Sequence, residues 1–295
     1  MNAALNNPSN SLPKAVSGSL ISRMPVDEYF ALPEVSITRL KELRRSPQHY
    51  RYRLLNPKES APLSLGRAAH CAVLEAPRFA TDFAVWNRRT EGGKSAPRNG
   101  KWWDAFEAEA QGRSIITQDE YELATAMQGA VHSNREAARY LASGEPEVVM
   151  QWEINGRPCR GRIDWLTCVD GRPCVVGLKT ARDCRHFAFG AAAARLGYHL
   201  QWAFYLDGYK IITEVEPRML EIVVESEPPH AVAVYAIPDD ILEQGRAEYD
   251  ELLSILDRCE ATNDWPGPVP AEEFLTLPTW AYPHNDDIAD LGLEN

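Results

Sequence analysis

The sequence predicts an α/β fold, a central mixed sheet flanked by helices, on three observations. Residues 146–180 read as a three-strand meander, with Asn155-Gly156 and Asp170-Gly171 as the turn pairs favoured in tight hairpins. Helical periodicity occupies much of the chain before and after that meander. Two further β-rich runs, 218–226 and 231–237, complete the sheet. The expected organisation is a flexible tail at 1–25, one domain at 26–262 and a loop-rich stretch at 263–295.

The elements follow in order. Residues 1–25 are rich in Asn, Ser and Pro without a sustained period, so order is expected from Val26. The run VSITRLKELRRSPQHYRYRLL offers Ser36 as an N-cap and is interrupted before Pro47, which predicts two short helices. Ala68, Ala69, Ala72, Val73 and Leu74 recur at helical spacing and predict a buried helix over 65–75 that carries His70. Residues 88–104 are polar and basic and read as a loop. Helices are expected at 103–112 and 118–143, the second opened by Thr117 with Glu120 three residues on, a capping box. A long helix at 185–210 and another at 239–258 flank the last two strands. The repeat GRPC at 156–159 and 171–174 marks the two hairpin turns, since a single recurrence is no array.

Composition narrows the class. The 295 residues are 44% hydrophobic and 25% charged, as in ordinary globular proteins. No apolar run reaches the ~18–20 residues of a membrane span and the start lacks a signal-peptide pattern, so a cytoplasmic protein is expected, with no membrane partner. The six cysteines form no CxxC pair, which points away from zinc knuckles and redox dithiols and toward reduced thiols. A net charge of −11 argues against non-specific coating of nucleic acid; binding to DNA would need a local groove, or a metal bridging acidic side chains to phosphate.

The stretch VVGLKT, 175–180, places Lys179 in an otherwise apolar strand. With Asp170-Gly171 at the centre of a two-residue turn, residues pair where their numbers sum to 341, and Asp164 stands opposite Gly177. Pro173 makes that register less secure near the turn. Alternation then turns position 177 and Lys179 one way and Val176 and Leu178 toward the core. The turn at Asn155-Gly156 pairs residues summing to 311 and sets Glu147 beside Asp164 from the other side. Carboxylates beside a lysine suit phosphodiester hydrolysis, because acidic oxygens hold Mg²⁺ and the lysine offsets developing negative charge. The same spacing also describes a partly buried salt bridge within a sheet. Arg160 and Arg162, placed on the face of Asp164, would contact phosphate or pair with Glu153 and Glu147. The basic loop at 88–101 reads equally as a grip on the DNA backbone and as a solvated surface.

With these residues in view, the sequence resembles the PD-(D/E)xK nuclease superfamily, and more closely phage and prophage exodeoxyribonucleases of the RecE (exonuclease VIII) type. The resemblance runs through SITRLKELRRSPQHYRYRL, LGRAAHCAVLEAPRF, GRIDWL, LKTARD, YHLQWAFYLDGY and VVESEPPH, roughly residues 34–240. It implies a PD-(D/E)xK restriction-endonuclease-like core, with His70 as a metal ligand, Asp164 as the central ligand and Lys179 as the catalytic lysine. A lone histidine on an apolar helix face would read as a satisfied core residue; the surrounding LGRAAH singles His70 out. Gln201 and Tyr205 match the family's Q-x3-Y helix, with Tyr198 preceding them at helical spacing, and their implied role is to contact DNA and orient the site. The resemblance further implies Mg²⁺ or Mn²⁺ as cofactor, double-stranded DNA ends as substrate, 5′-to-3′ degradation of one strand in phage-type recombination, a single-strand annealing protein as partner, and ring-like homo-oligomers. An iron–sulfur relative would need a cysteine cluster about the core, and only Cys259 lies C-terminal to it.

One position departs from the pattern. The family carries an acid at position 177, and this chain has Gly177. Two readings follow: a deoxyribonuclease in which His70, Glu147, Asp164 and the Leu178 carbonyl still hold one cation, or an inactive DNA-end or partner-binding protein on the same fold. The first predicts cleavage by the chain as it stands; the second predicts cleavage only by Gly177→Asp.

Overall fold

A computed structural model describes residues 12, 15, 17–56, 64–269, 272 and 274–278. Nine strands occur among them: β1 (Ser19–Ile21), β2 (Val35–Ser36), β3 (Phe83–Trp86), β4 (Ser114–Thr117), β5 (Glu145–Ile154), β6 (Arg157–Val169), β7 (Arg172–Ala181), β8 (Arg218–Glu225) and β9 (Val232–Ala236). The helices are α1 (Val26–Ala31), α2 (Ile37–Leu40), α3 (Pro47–Leu55), α4 (Ser64–Leu74), α5 (Ala76–Asp82), α6 (Gly100–Ala110), α7 (Gln118–Ser133), α8 (Arg135–Leu141), α9 (His186–Leu196), α10 (Tyr198–Thr213) and α11 (Asp239–Thr262).

The main sheet runs in the order β1-β5-β6-β7-β8-β9, with β2 also pairing β6, and is mixed: β7 and β8 are parallel and the hairpins are antiparallel. The two hairpin turns form as the sequence requires. Asn155-Gly156 and Asp170-Gly171 all have positive φ, the backbone that a two-residue turn matched to strand twist demands. Both registers hold as well, with Val148↔Ile163 and Trp152↔Cys159 summing to 311 and Trp165↔Val176 and Val169↔Arg172 summing to 341. Pro173 sits within the second ladder opposite Cys168 without displacing it.

Helices cover both faces, so the strands are apolar on both sides. Val148, Met150, Trp152, Val175, Met219 and Val223 share one core with α2, α10 and α11. Val176, Leu178, Leu220, Ile222 and Val224 share the other with α4, α7 and α8. The predicted caps are present: Ser36 accepts from the Arg39 N–H, and Thr117 and Glu120 close a capping box.

Several expectations need correction. Ser19–Ile21 adds a strand to β5, so part of the segment expected to be a tail belongs to the sheet. The single helix expected at 185–210 is two, α9 and α10, divided at Gly197, whose φ of 65° ends α9 in the left-handed conformation. That at 118–143 divides at Asn134, whose side chain caps α8 through the Ala137 N–H. The short parallel pair β3 and β4 was not expected. Residues 57–63 and most of 263–295 beyond Val269 lie outside the described residues. All six cysteines are free, and no helix among the described residues is long and apolar enough to cross a membrane.

Candidate metal centre and nucleic-acid groove

The site lies where β6 changes partner. Along one edge, β6 pairs with β7 from Val169 to Trp165 and with β2 at Arg160 and Cys159, which leaves residues 161–164 in a fork. Past the fork, the Leu178 N–H has no strand partner on that side. It donates instead to Asp164 Oδ2 at 2.9 Å, which satisfies a donor that burial would otherwise penalise. The Leu178 carbonyl is met by His70 Nε2 at 2.6 Å and by Lys179 Nζ at 3.4 Å. One residue of β7 thus ties α4, β6 and Lys179 together. Glu147, at a positive φ of 53°, interrupts the β5/β6 ladder beside Asp164 and pairs with Arg162 at 2.7 Å.

His70, Glu147 and Asp164 each offer a ligand atom, and these atoms lie within 4.8 Å of one another. Ligands at ~2.0–2.5 Å from one ion lie at most about 4–5 Å apart, so the set fits a single divalent cation. Two carboxylates and one imidazole suit Mg²⁺ or, better, Mn²⁺, which accepts nitrogen more readily. The electrostatics agree with that use. Burial holds the His70 imidazole below its ordinary range and keeps it neutral, with a lone pair to give. Burial alone would push Asp164 up, but Lys179, the Leu178 N–H and Arg162 outweigh it and keep the carboxylate ionised. Burial pushes Glu147 up to about 7 despite Arg162. Lys179 would lose its proton through burial, were it not for Glu221 and Asp164, which hold it firmly charged.

Around this centre, α10 places the three residues of its motif on the face turned to the sheet. The Tyr198 ring lies 5.5 Å from Lys179 Nζ and 5.8 Å from Lys41 Nζ. Gln201 hydrogen-bonds Tyr205, and the Tyr205 ring packs where a Cβ on Gly161 would approach within 2.7 Å. Tyr205 is buried against Gly161 of the fork, whereas Gln201 and Tyr198 are partly open.

Two expected DNA contacts fare differently. Arg162 lines the open groove described below. Arg160 does not: it is 1% exposed, with its guanidinium on the Tyr29 carbonyl and ring, because β6 turns that residue under α1. In the basic stretch 88–101, Arg89 and Arg98 are committed to Asp119 and Glu120 of α7, and Arg88 and Lys101 cover the Trp102 ring.

Glu221 escaped sequence reasoning. It is fully buried on β8 directly beside Gly177, with Trp202 Nε1 donating to its Oε2 and Lys179 Nζ 3.6 Å from its Oε1. Burial pushes it up to about 7, with Lys179 opposing. The signal was present, since MLEIVV interrupts an apolar strand with one acid just as VVGLKT does with one lysine. The parallel pairing that unites the two could not be read from the spacing.

The centre opens onto a groove of about 830 Å³ that runs past Arg23, Arg67, Arg78, Arg113 and Arg162. Arg78 is paired with Glu75 and Asp82, and Arg162 with Glu147. Arg23, Arg67 and Arg113 have no carboxylate partner among the described residues, and Arg67 and Arg113 are held by hydrogen bonds to Ser114 Oγ and to the Ala110 and Glu109 carbonyls.

A mixed sheet forked at an acidic residue, with a lysine two residues beyond the fork and a histidine delivered by a preceding helix, defines a PD-(D/E)xK-type core. Residues 36–274 match the family described as PDDEXK-like domain of unknown function (DUF3799), and the chain belongs to it. No curated protein matches the chain. Among solved structures, a candidate exonuclease from Eubacterium rectale is similar in fold, with a TM-score of 0.57 and 14% identity, covering 92% of this chain and 98% of that one. The protein SSO0001 is 15% identical over 77% of this chain and 81% of its own, and a Vibrio cholerae protein 14% identical over 75% and 55%. Their TM-scores of 0.32 and 0.21 are too low to bear on the architecture.

Proposed function

We propose that this protein is a divalent-cation-dependent deoxyribonuclease, a 5′-to-3′ exonuclease acting on linear duplex ends in phage-type recombination. The observation that carries the reading is the convergence of His70, Glu147 and Asp164 within 4.8 Å, with Lys179 3.5 Å from Asp164 and with His70, Glu147 and Lys179 lining a groove that also holds five arginines. A bound cation would polarise the phosphoryl oxygen and lower the pKa of a water beside it. The protein's own residues do the rest. Asp164, held ionised, and neutral His70 offer lone pairs from opposite elements. Glu147 adds a second carboxylate to the set and is steadied by Arg162 at 2.7 Å. Lys179 keeps its charge next to Asp164 and offsets negative charge as the phosphodiester is attacked. Arg67 and Arg113 line the path of the sugar–phosphate backbone. A single-strand annealing partner and a ring-like assembly accord with this role and belong to the same proposal.

The test is release of nucleotides from end-labelled linear duplex with Mg²⁺ or Mn²⁺, comparing the unaltered chain with Lys179→Ala and Asp164→Asn. Cleavage by the unaltered chain alone supports the reading, and label position in the products assigns polarity. Binding of duplex ends without any release by the unaltered chain would replace it with the non-catalytic reading.

A further inference from the structure

Gly177 has a physical reason. A Cβ built on it would lie 2.5 and 2.6 Å from the two carboxylate oxygens of Glu221 and 2.8 Å from its carboxyl carbon. The space that a side chain at 177 would enter is therefore already filled by a carboxylate arriving from β8. That carboxylate is fully buried on the face opposite to Leu220 and Ile222, among Val175, Trp202 and Met219. Its Oε2 is fixed by Trp202, while its Oε1 accepts no hydrogen bond. Lys179 Nζ stands 3.6 Å from that oxygen and 3.5 Å from Asp164 Oδ2. Asp164, Gly177, Lys179 and Glu221 share with Trp202 and Met219 a small, largely apolar pocket of about 10 Å³, with room for at most one water.

We infer that Glu221 supplies the acid that position 177 lacks, so that the divalent-cation centre receives its further carboxylate from β8 instead of β7. The inference rests on the metal-centre reading above. It accounts together for three features: a glycine in a strand interior, a buried acid on the adjacent strand, and a carboxylate oxygen whose near partner is Lys179 at 3.6 Å. The parallel register Gly177↔Glu221 makes the exchange geometrically simple, because both residues start from neighbouring positions on one face.

The experiment titrates Mn²⁺ calorimetrically into the full chain without DNA, and measures duplex cleavage in parallel, for the unaltered protein, Glu221→Gln and the double variant Gly177→Asp/Glu221→Leu. Glu221→Gln keeps size and an acceptor for Trp202; the double variant moves the acid to β7 and fills the vacated space with apolar volume. Expected are a 10–100-fold loss of Mn²⁺ affinity with a parallel loss of cleavage in Glu221→Gln, and recovery of both in the double variant. Unchanged affinity and cleavage in Glu221→Gln would overturn the inference and leave Glu221 as a counter-charge for Lys179. Should circular dichroism find Glu221→Gln unfolded, the double variant decides: retained Mn²⁺ binding supports the exchange and lost binding overturns it. An unaltered chain that neither binds Mn²⁺ nor cuts would instead bring down the metal-centre reading itself, a result distinct from normal behaviour of the unaltered chain and the Gln variant alike.

Discussion

Lys179 stands between half-buried Asp164 and fully buried Glu221, and that position sets what its removal does. In Lys179→Met, Asp164 and Glu221 lose their common cation, and Glu221 is wholly enclosed. Breaking a buried pair from one side costs on the order of 3 kcal/mol. We expect that loss at pH 8 in urea denaturation without metal, and a smaller one at pH 5, where Glu221 takes up a proton. Glu147 gives a second pH signature. Its carboxyl titrates near 7 in the folded chain against an ordinary 4.5. Between those values only the folded state holds the proton, so rising pH removes stability until about pH 7 and takes no more beyond it. Glu147→Gln lacks this loss, so its melting temperature should rise relative to the unaltered chain from pH 4.5 to pH 8, by an amount worth up to about 3 kcal/mol. An unchanging difference across that range would refute the assignment. At this scale the sequence revealed Asp164, Glu147 and Lys179, because two hairpin turns fix two registers. It concealed Glu221, because a parallel partner reached through α9 and α10 has no turn from which to count, and it misplaced Arg160, whose burial depends on α1.

Helix α10 determines how closely the site is braced. Gly208 lies so near the Trp152 ring that a Cβ there would stand 2.7–2.8 Å from three of its ring atoms, and Gly161 admits the Tyr205 ring in the same way. These two approaches let α10 settle on β5 and β6, and so carry Gln201 to the fork. Gly208→Ala should cost about 1–3 kcal/mol by overpacking, measurable as a lower urea midpoint with an unchanged slope; a neutral result would mean that α10 is free to shift. The break at Gly197 serves the same end, since it turns the chain so that Tyr198 begins a new helix facing Lys179. Sequence periodicity joined α9 and α10 because alanines and leucines continue through the break, and one glycine in a helical pattern is an ambiguous signal. Where a polar cap accompanied the periodicity, as at Ser36 and Thr117, the helix starts were legible.

Over the whole molecule, a net charge of −11 coexists with a groove whose cations Arg23, Arg67 and Arg113 are free of carboxylate partners among the described residues. The proposed function then requires an affinity for duplex DNA that falls steeply with salt. Neutralising Arg67 or Arg113 should lower the slope of log affinity against log salt by about 1 each; slopes equal to that of the unaltered chain would place the DNA elsewhere. Glu221 and Gly177 carry a consequence of another kind. An acid at both positions would force two carboxylates into one space, and an acid at neither would leave Lys179 with Asp164 alone. A lineage can pass from one arrangement to the other only through one of these impaired intermediates, so the two positions should change in concert. Among related chains, an acid at the position of Gly177 should accompany an apolar residue at that of Glu221, and a glycine there an acid. A search for this active site along a single strand would then discard functional members that a search over two adjacent strands retains.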